Sequence, residues 1–182
     1  MKLRAVAVYC GAGNPKDPAL LEVARGFGRA AAERKIRVVY GGASIGLMGA
    51  LADGALEGGG DVLGVLPEVI ASREVGHKGL TELIGTRTLH ERKAIMLDRS
   101  DACVALPGGI GTFDELFEAW TWRYLGIHQK PVGLLDVGGF YEKLTEFLDS
   151  VVDRGLMSGT TREMLIVKRE AGELFDALEL QT

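Results

Sequence analysis

Short apolar, β-branched runs recur at Arg4–Tyr9, Ile36–Tyr40, Val62–Leu66, Glu82–Arg87, Ala102–Leu106, Pro131–Leu135 and Met164–Val167. Most are followed by Gly or Pro and then by a longer stretch with apolar residues three and four apart. The first kind of segment has the length and residue types of a β-strand, the second the period of an amphipathic helix. Helices are expected over Pro18–Arg34, Ile45–Glu57, Leu89–Asp98, Phe113–Leu125, Phe140–Arg154 and Ala171–Leu180. Alternation of the two implies a parallel sheet, and runs that are apolar at successive positions imply strands covered by helices on both faces. The expected fold is α/β, a Rossmann-like doubly wound parallel sheet. No repeat, low-complexity tract or linker divides the chain, so residues 1–182 read as a single domain, with Pro67–Leu80 as a flexible excursion able to fold over a ligand.

Two helices carry more apolar surface than a sheet-facing stripe requires. Phe113, Leu116, Phe117, Trp120 and Tyr124 fill one face of the fourth, with Trp122 pointing elsewhere, and Ile45, Leu47, Met48, Ala50, Leu51, Ala55 and Leu56 spread around the second. Deep burial within one subunit and a helix-to-helix dimer interface rich in aromatics both fit this pattern.

Composition narrows the function classes. No apolar run approaches the roughly 18 residues of a membrane-spanning helix, and a formal net charge of −4 argues against a broad basic footprint for nucleic acid. Any anion must be bound locally. Glycine, at 26 of 182 residues, is about twice as frequent as usual, which marks backbone turns at strand ends. Cys10 and Cys103 lie far apart in apolar stretches and are expected to be buried thiols. The apolar run ending at Tyr9 is too short for a signal-peptide core, and a reducing, cytoplasmic location is expected. His77, His90 and His128 have no metal-ligand spacing, so no metal site is expected.

Three glycine-rich turns are candidates for binding an anion. C-G-A-G-N-P at 10–15 has Gly11 and Gly13 but Lys16 where the dinucleotide fingerprint needs its third glycine. Y-G-G-A-S-I-G-L-M-G at 40–49 passes from strand to helix, with Ser44 placed to cap, so Gly41, Gly42 and Ser44 could receive an anion on free N–H groups. Neither turn continues into Gly-Lys-Ser/Thr, so ATP hydrolysis is not supported. L-P-G-G-I-G-T-F-D-E at 106–115 is the most informative. Gly108, Gly109 and Gly111 let backbone approach a ligand, and Thr112 is expected to begin a helix whose positive end faces a phosphate. Glu115 then brings a carboxylate close to that cradle, although Thr-x-x-Glu is also the pattern of a capping box. In L-H-E-R-K at 89–93, His90, Arg92 and Lys93 either point toward the strand ends or form a solvated helix face.

Taken together, these three motifs resemble the LONELY GUY family, the cytokinin riboside 5′-monophosphate phosphoribohydrolases, many of whose bacterial members carry a lysine decarboxylase label. The resemblance runs from about Val6 to Arg154 and includes T-W-R-Y-L-G-I-H-Q-K-P-V-G-L-L after the glycine motif. It implies a usually dimeric Rossmann-like enzyme that cleaves the N-glycosidic bond of an adenine nucleoside 5′-monophosphate, giving free base and ribose 5-phosphate without a cofactor. It also implies Arg92 and Glu115 as the catalytic pair. Glu74, Lys93, Gly108, Gly109, Ile110, Gly111, Thr112 and Thr121 match positions lining the nucleotide site. Two departures are Ala12, where relatives often have Ser, and Ala43, where many have Gly.

The chemistry agrees with the resemblance. Breaking a ribosyl–adenine bond develops oxocarbenium-like charge on the sugar, which a carboxylate at Glu115 can stabilise while orienting water. Arg92 supplies permanent positive charge for orientation. Two rivals remain: a non-catalytic nucleotide or cofactor carrier, and a decarboxylase with pyridoxal on a lysine, for which Lys93 is the one lysine in the candidate site.

Overall fold

The computed structural model describes residues 2–70 and 75–181. Among these described residues, seven parallel strands form one sheet in the order β4-β3-β2-β1-β5-β6-β7. They are β1 Ala5–Tyr9, β2 Arg37–Tyr40, β3 Val62–Pro67, β4 Glu82–Thr86, β5 Ala102–Ala105, β6 Val132–Leu135 and β7 Leu165–Lys168. Each expected strand is present within one or two residues of its expected bounds. The helices are α1 Ala19–Glu33, α2 Gly46–Glu57, α3 Leu89–Asp98, α4 Ile110–Tyr124, α5 Glu142–Asp153, α6 Gly159–Glu163 and α7 Ala171–Glu179. The short α6 has no counterpart in the sequence reading. Its five residues are too few to show a period, and its cap, the Ser158 hydroxyl accepting the Thr161 N–H at 3.0 Å, is its only local signature.

Side chains alternate across β1 and so divide the core into two layers. Val6 and Val8 face α1, α2 and α7, where Phe27, Leu51 and Phe175 are buried. Ala7 and Tyr9 face α3, α4 and α5, with Met96, Leu116, Trp120 and Leu148. Each large aliphatic or aromatic side chain so buried stabilises the fold by about 1.5–3 kcal/mol. The β1, β2, β3, β5 and β6 strands are buried almost throughout, as their unbroken apolar runs imply.

Most of the surplus apolar surface of α2 lies inside the subunit, as the deep-burial reading of this helix expects. From Gly46 to Ala52 every residue is buried. Gly28 of α1 and Gly54 of α2 let the two backbones touch: a Cβ on Gly28 would overlap the Leu51 carbonyl, and one on Gly54 the Arg25 carbonyl. The α4 face divides instead. Leu116, Ala119 and Trp120 are core, while Phe117 and Tyr124 stay 36% and 58% exposed.

Candidate active site

The chain leaves β1 for one half of the sheet and β5 for the other, so the order of strands reverses between them. In an open parallel sheet such a switch point creates a crevice at the carboxyl ends of the strands. The turn after β1 and the turn after β5 meet there, with the Gly11 N–H donating to the Pro107 carbonyl at 3.2 Å. Between them lies a cleft of about 370 Å³, walled by Cys10–Gly13, by Arg92 and Lys93 from α3, and by Gly109, Gly111, Thr112 and Glu115 from α4.

The start of α4 decides how its motif is read. The helix begins at Ile110 with Gly109 as its cap residue, and no side chain caps it. Thr112 is therefore the third helical residue, buried, and Glu115 stands in the second turn. The capping-box reading of this pair fails, and so does the placement of Thr112 at the helix start. The first-turn N–H groups of α4 lack i−4 partners, and Cβ atoms built on Gly109 and Gly111 would meet open space. This end has the positive potential and the room that an anion needs.

A side-chain cap does exist, one motif earlier. The Thr88 hydroxyl accepts the Glu91 N–H at 3.1 Å, and the Glu91 carboxylate accepts the Arg87 N–H at 2.8 Å. This fixes the entry of α3, leaves His90 exposed and turns Arg92 and Lys93 inward. The Arg92 guanidinium reaches Glu115, Nη2 to Oε1 3.8 Å, with both side chains close to nine-tenths buried. At that separation the two charges attract strongly in a poorly solvated site, beyond direct hydrogen-bond length. Lys93 donates to Asp114 at 3.0 Å and to Glu118 at 2.8 Å. Burial works against its charge, but the bonds to Glu118 and Asp114 outweigh it and hold its pKa above the ordinary lysine value.

The family model described as "Possible lysine decarboxylase" matches residues 48–178. The cytokinin riboside 5′-monophosphate phosphoribohydrolase LOG2 of Arabidopsis thaliana is 43% identical over 178 residues, covering 98% of this chain and 84% of the relative. The phosphoribohydrolase of that name from Rhodococcoides fascians is 44% identical, over 92% and 85% of the two chains. This chain belongs to the cytokinin riboside 5′-monophosphate phosphoribohydrolase family. The Moco carrier protein of Chlamydomonas reinhardtii superposes with a TM-score of 0.74 over 100% of this chain and 98% of that one, at 24% identity. That likeness shows the shared fold.

Within this phosphoribohydrolase-family chain, the remaining expected site residues separate by position. Gly41 lies under Arg92, where a Cβ would overlap the guanidinium, so this glycine makes room for the arginine. Gly42, with φ +83°, presents its carbonyl to the His77 N–H at 3.0 Å. Ser44 does not cap α2. Its N–H and its hydroxyl both donate to the Val75 carbonyl at 2.8 Å, so the second glycine turn is tied to the 75–77 segment. Gly108 packs against Thr112 and the Gly11 backbone. Ile110 is 86% exposed, on the solvent side of α4. Thr121 lies nine residues beyond Thr112, about 13 Å along the axis, in a separate groove with Phe117, Tyr124 and Leu156. Glu74 lies outside the described residues.

Sequence reasoning passed over Asp114 and Glu118, the carboxylates that hold Lys93. Their four-residue spacing on α4 put them on one helix face, but only the tertiary pairing of α3 with α4 brings a lysine between them.

Proposed function

We infer that the protein hydrolyses the N-glycosidic bond of adenine nucleoside 5′-monophosphates, AMP or cytokinin riboside 5′-monophosphates, to free base and ribose 5-phosphate. The observation that carries this reading is the Arg92–Glu115 pair, buried beside the open amino end of α4 in one cleft. Family membership on nearly the whole chain supports it.

The 5′-phosphate sits against the N–H groups of the Gly109–Thr112 turn, where the helix end contributes roughly half a positive charge. Anchoring there lets binding energy remote from the scissile bond orient the ribose. As the C1′–N bond breaks, Glu115 stabilises the cationic sugar and takes a proton from water, whose oxygen forms the new bond to C1′. The electron pair of the broken bond leaves with the base, which takes up a proton from solvent, balancing the one that Glu115 removes from water, and departs neutral. Positioned acid–base help of this kind contributes roughly 10²–10⁴-fold. Arg92 orients Glu115 and the nucleotide through its planar guanidinium.

Lys93 fits the decarboxylase rival poorly. A lysine that forms a Schiff base must lose its proton, and the two carboxylates around Lys93 favour the charged form. We further propose a homodimer through the exposed outer face of α4, where Phe117, Tyr124 and Leu125 adjoin the apolar groove containing Leu156. We also propose a cytoplasmic location, in which Cys10 and Cys103 remain reduced, buried thiols.

Incubation of the purified protein with AMP, read by chromatography for adenine, tests the central reading. Stoichiometric adenine and ribose 5-phosphate are expected. Tight nucleotide binding with no release of base from AMP or its prenylated analogues overturns it in favour of a carrier.

A further inference from the structure

We propose that Tyr141 is a positioning residue that holds the Pro107–Thr112 turn, and with it the amino end of α4, in place to receive a 5′-phosphate. The proposal rests on reading that turn as the phosphate cradle and adds a residue from another part of the chain.

Tyr141 lies just before α5, and only 1% of its surface is exposed. Its hydroxyl donates to the Leu106 carbonyl at 2.6 Å, a short bond to the last residue before Pro107-Gly108-Gly109. Its ring meets that of Phe113, just beyond the same turn, edge to face at 6.4 Å and 71°. One side chain therefore braces the turn where it leaves β5 and again where it has become helix. The opposite side of the turn is held by β1: the Leu106 N–H donates to the Tyr9 carbonyl at 2.9 Å, and the Pro107 carbonyl accepts the Gly11 N–H at 3.2 Å.

The route that brings Tyr141 there is equally specific. Gly138 and Gly139 have φ of +60° and +74°, a conformation nearly reserved for glycine. They fold the chain back after β6, and the Asp136 carboxylate accepts the Tyr141 N–H at 2.7 Å. Burial pushes the phenol pKa up, so the hydroxyl remains a donor throughout the neutral range. Anion recognition by backbone N–H groups depends on the direction in which those groups point. A turn free to tilt would keep its charge and lose its aim.

The test is Tyr141→Phe in the full-length protein, which keeps the ring and removes the bond to Leu106. Three quantities are measured: affinity for inorganic phosphate by calorimetry, kcat and KM for AMP, and Tm. Phosphate affinity is expected to fall and KM for AMP to rise, each about tenfold, the upper range for one lost hydrogen bond, with kcat changed less than KM. Phe175→Leu, a core change in the opposite sheet layer, controls for lost stability and should leave phosphate affinity and KM at wild-type values. Wild-type phosphate affinity and KM in Tyr141→Phe overturn the proposal, as does an equal loss in Phe175→Leu at matched Tm. If the wild-type protein cleaves no nucleotide, the hydrolase reading fails on its own and the phosphate affinities alone decide this one: a tenfold loss upholds it, and no loss or no phosphate binding by wild type overturns it. Should Tyr141→Phe not accumulate folded, Phe113→Leu removes the ring contact on the same turn, with the same expected and overturning results.

Discussion

Glu115 stands with its carboxylate 3.8 Å from the Arg92 guanidinium, in the second turn of α4 and clear of the helix cap. Its replacement by Gln therefore separates chemistry from folding. The amide fills the same space but can neither stabilise an oxocarbenium ion nor take a proton from water. Glu115→Gln is expected to retain AMP binding and a near-native melting temperature while losing at least about a hundredfold in kcat. Turnover close to wild type would remove Glu115 from the mechanism.

Thr88 and Glu91 carry the capping role that Thr112 and Glu115 lack. Thr88→Ala should cost about 0.5–2 kcal/mol of stability, a drop of several degrees in Tm for a chain of this size. Thr112→Ala leaves no cap broken and should cost less through that route. Calorimetric melting of Thr88→Ala checks the cap, and an unchanged Tm would contradict it.

Gly41 is a steric prediction. A single methyl group there displaces the Arg92 guanidinium, so Gly41→Ala should lower kcat/KM for AMP by about tenfold or more, since misplacement by about an ångström is costly in catalysis. Retained activity would mean that Arg92 has another productive position.

Lys93 gives a pH test with a defined sign. Its pKa in the folded protein is raised, so the stability that its pairing with Asp114 and Glu118 contributes is fully present below the ordinary lysine value, about 10.4, and fades as pH rises through the higher folded value. The stability difference between wild type and Lys93→Met should thus be flat from about pH 7 to about pH 9, below that value, and shrink only at more alkaline pH. Urea melts at several pH values measure it. A difference that already declines near neutrality would show that Lys93 loses its proton easily, as a Schiff-base lysine does.

The outer face of α4 makes the fifth prediction. Light scattering at micromolar concentration should give twice the 19.5 kDa of one chain, and Tyr124→Glu should shift the mass toward a single chain. A wild-type monomer with full activity would leave Phe117 and Tyr124 as surface aromatics without a partner.

The strands were legible because burial on both faces makes a parallel strand continuously apolar, as in Val38-Val39-Tyr40 and Ala102–Leu106. The pairing of Arg92 with Glu115 came from family resemblance, and no spacing rule joins residues 23 positions apart. Helix starts were harder to read. At Ile110 the helix begins on Gly-Ile-Gly-Thr, where no polar cap announces it, so the apolar period becomes visible only from Phe113 onward. Ser44 looked like a cap because Ser before a helix usually is one. In the fold, Ile45 takes the cap position of α2 and Ser44 stands one residue before it, donating its hydroxyl to the Val75 carbonyl.

The seam between Gly28 and Gly54 has a consequence for motion. Two helices whose backbones interlock cannot slide or rotate against each other without steric collision, so α1 and α2 behave as one plate bonded to the sheet. Any rearrangement that accompanies ligand entry must occur in the opposite layer or in the turns above the strand ends. Amide hydrogens of α1 and α2 should then exchange at one common slow rate with and without AMP, while those of Gly109–Thr112 become protected only when the nucleotide is bound.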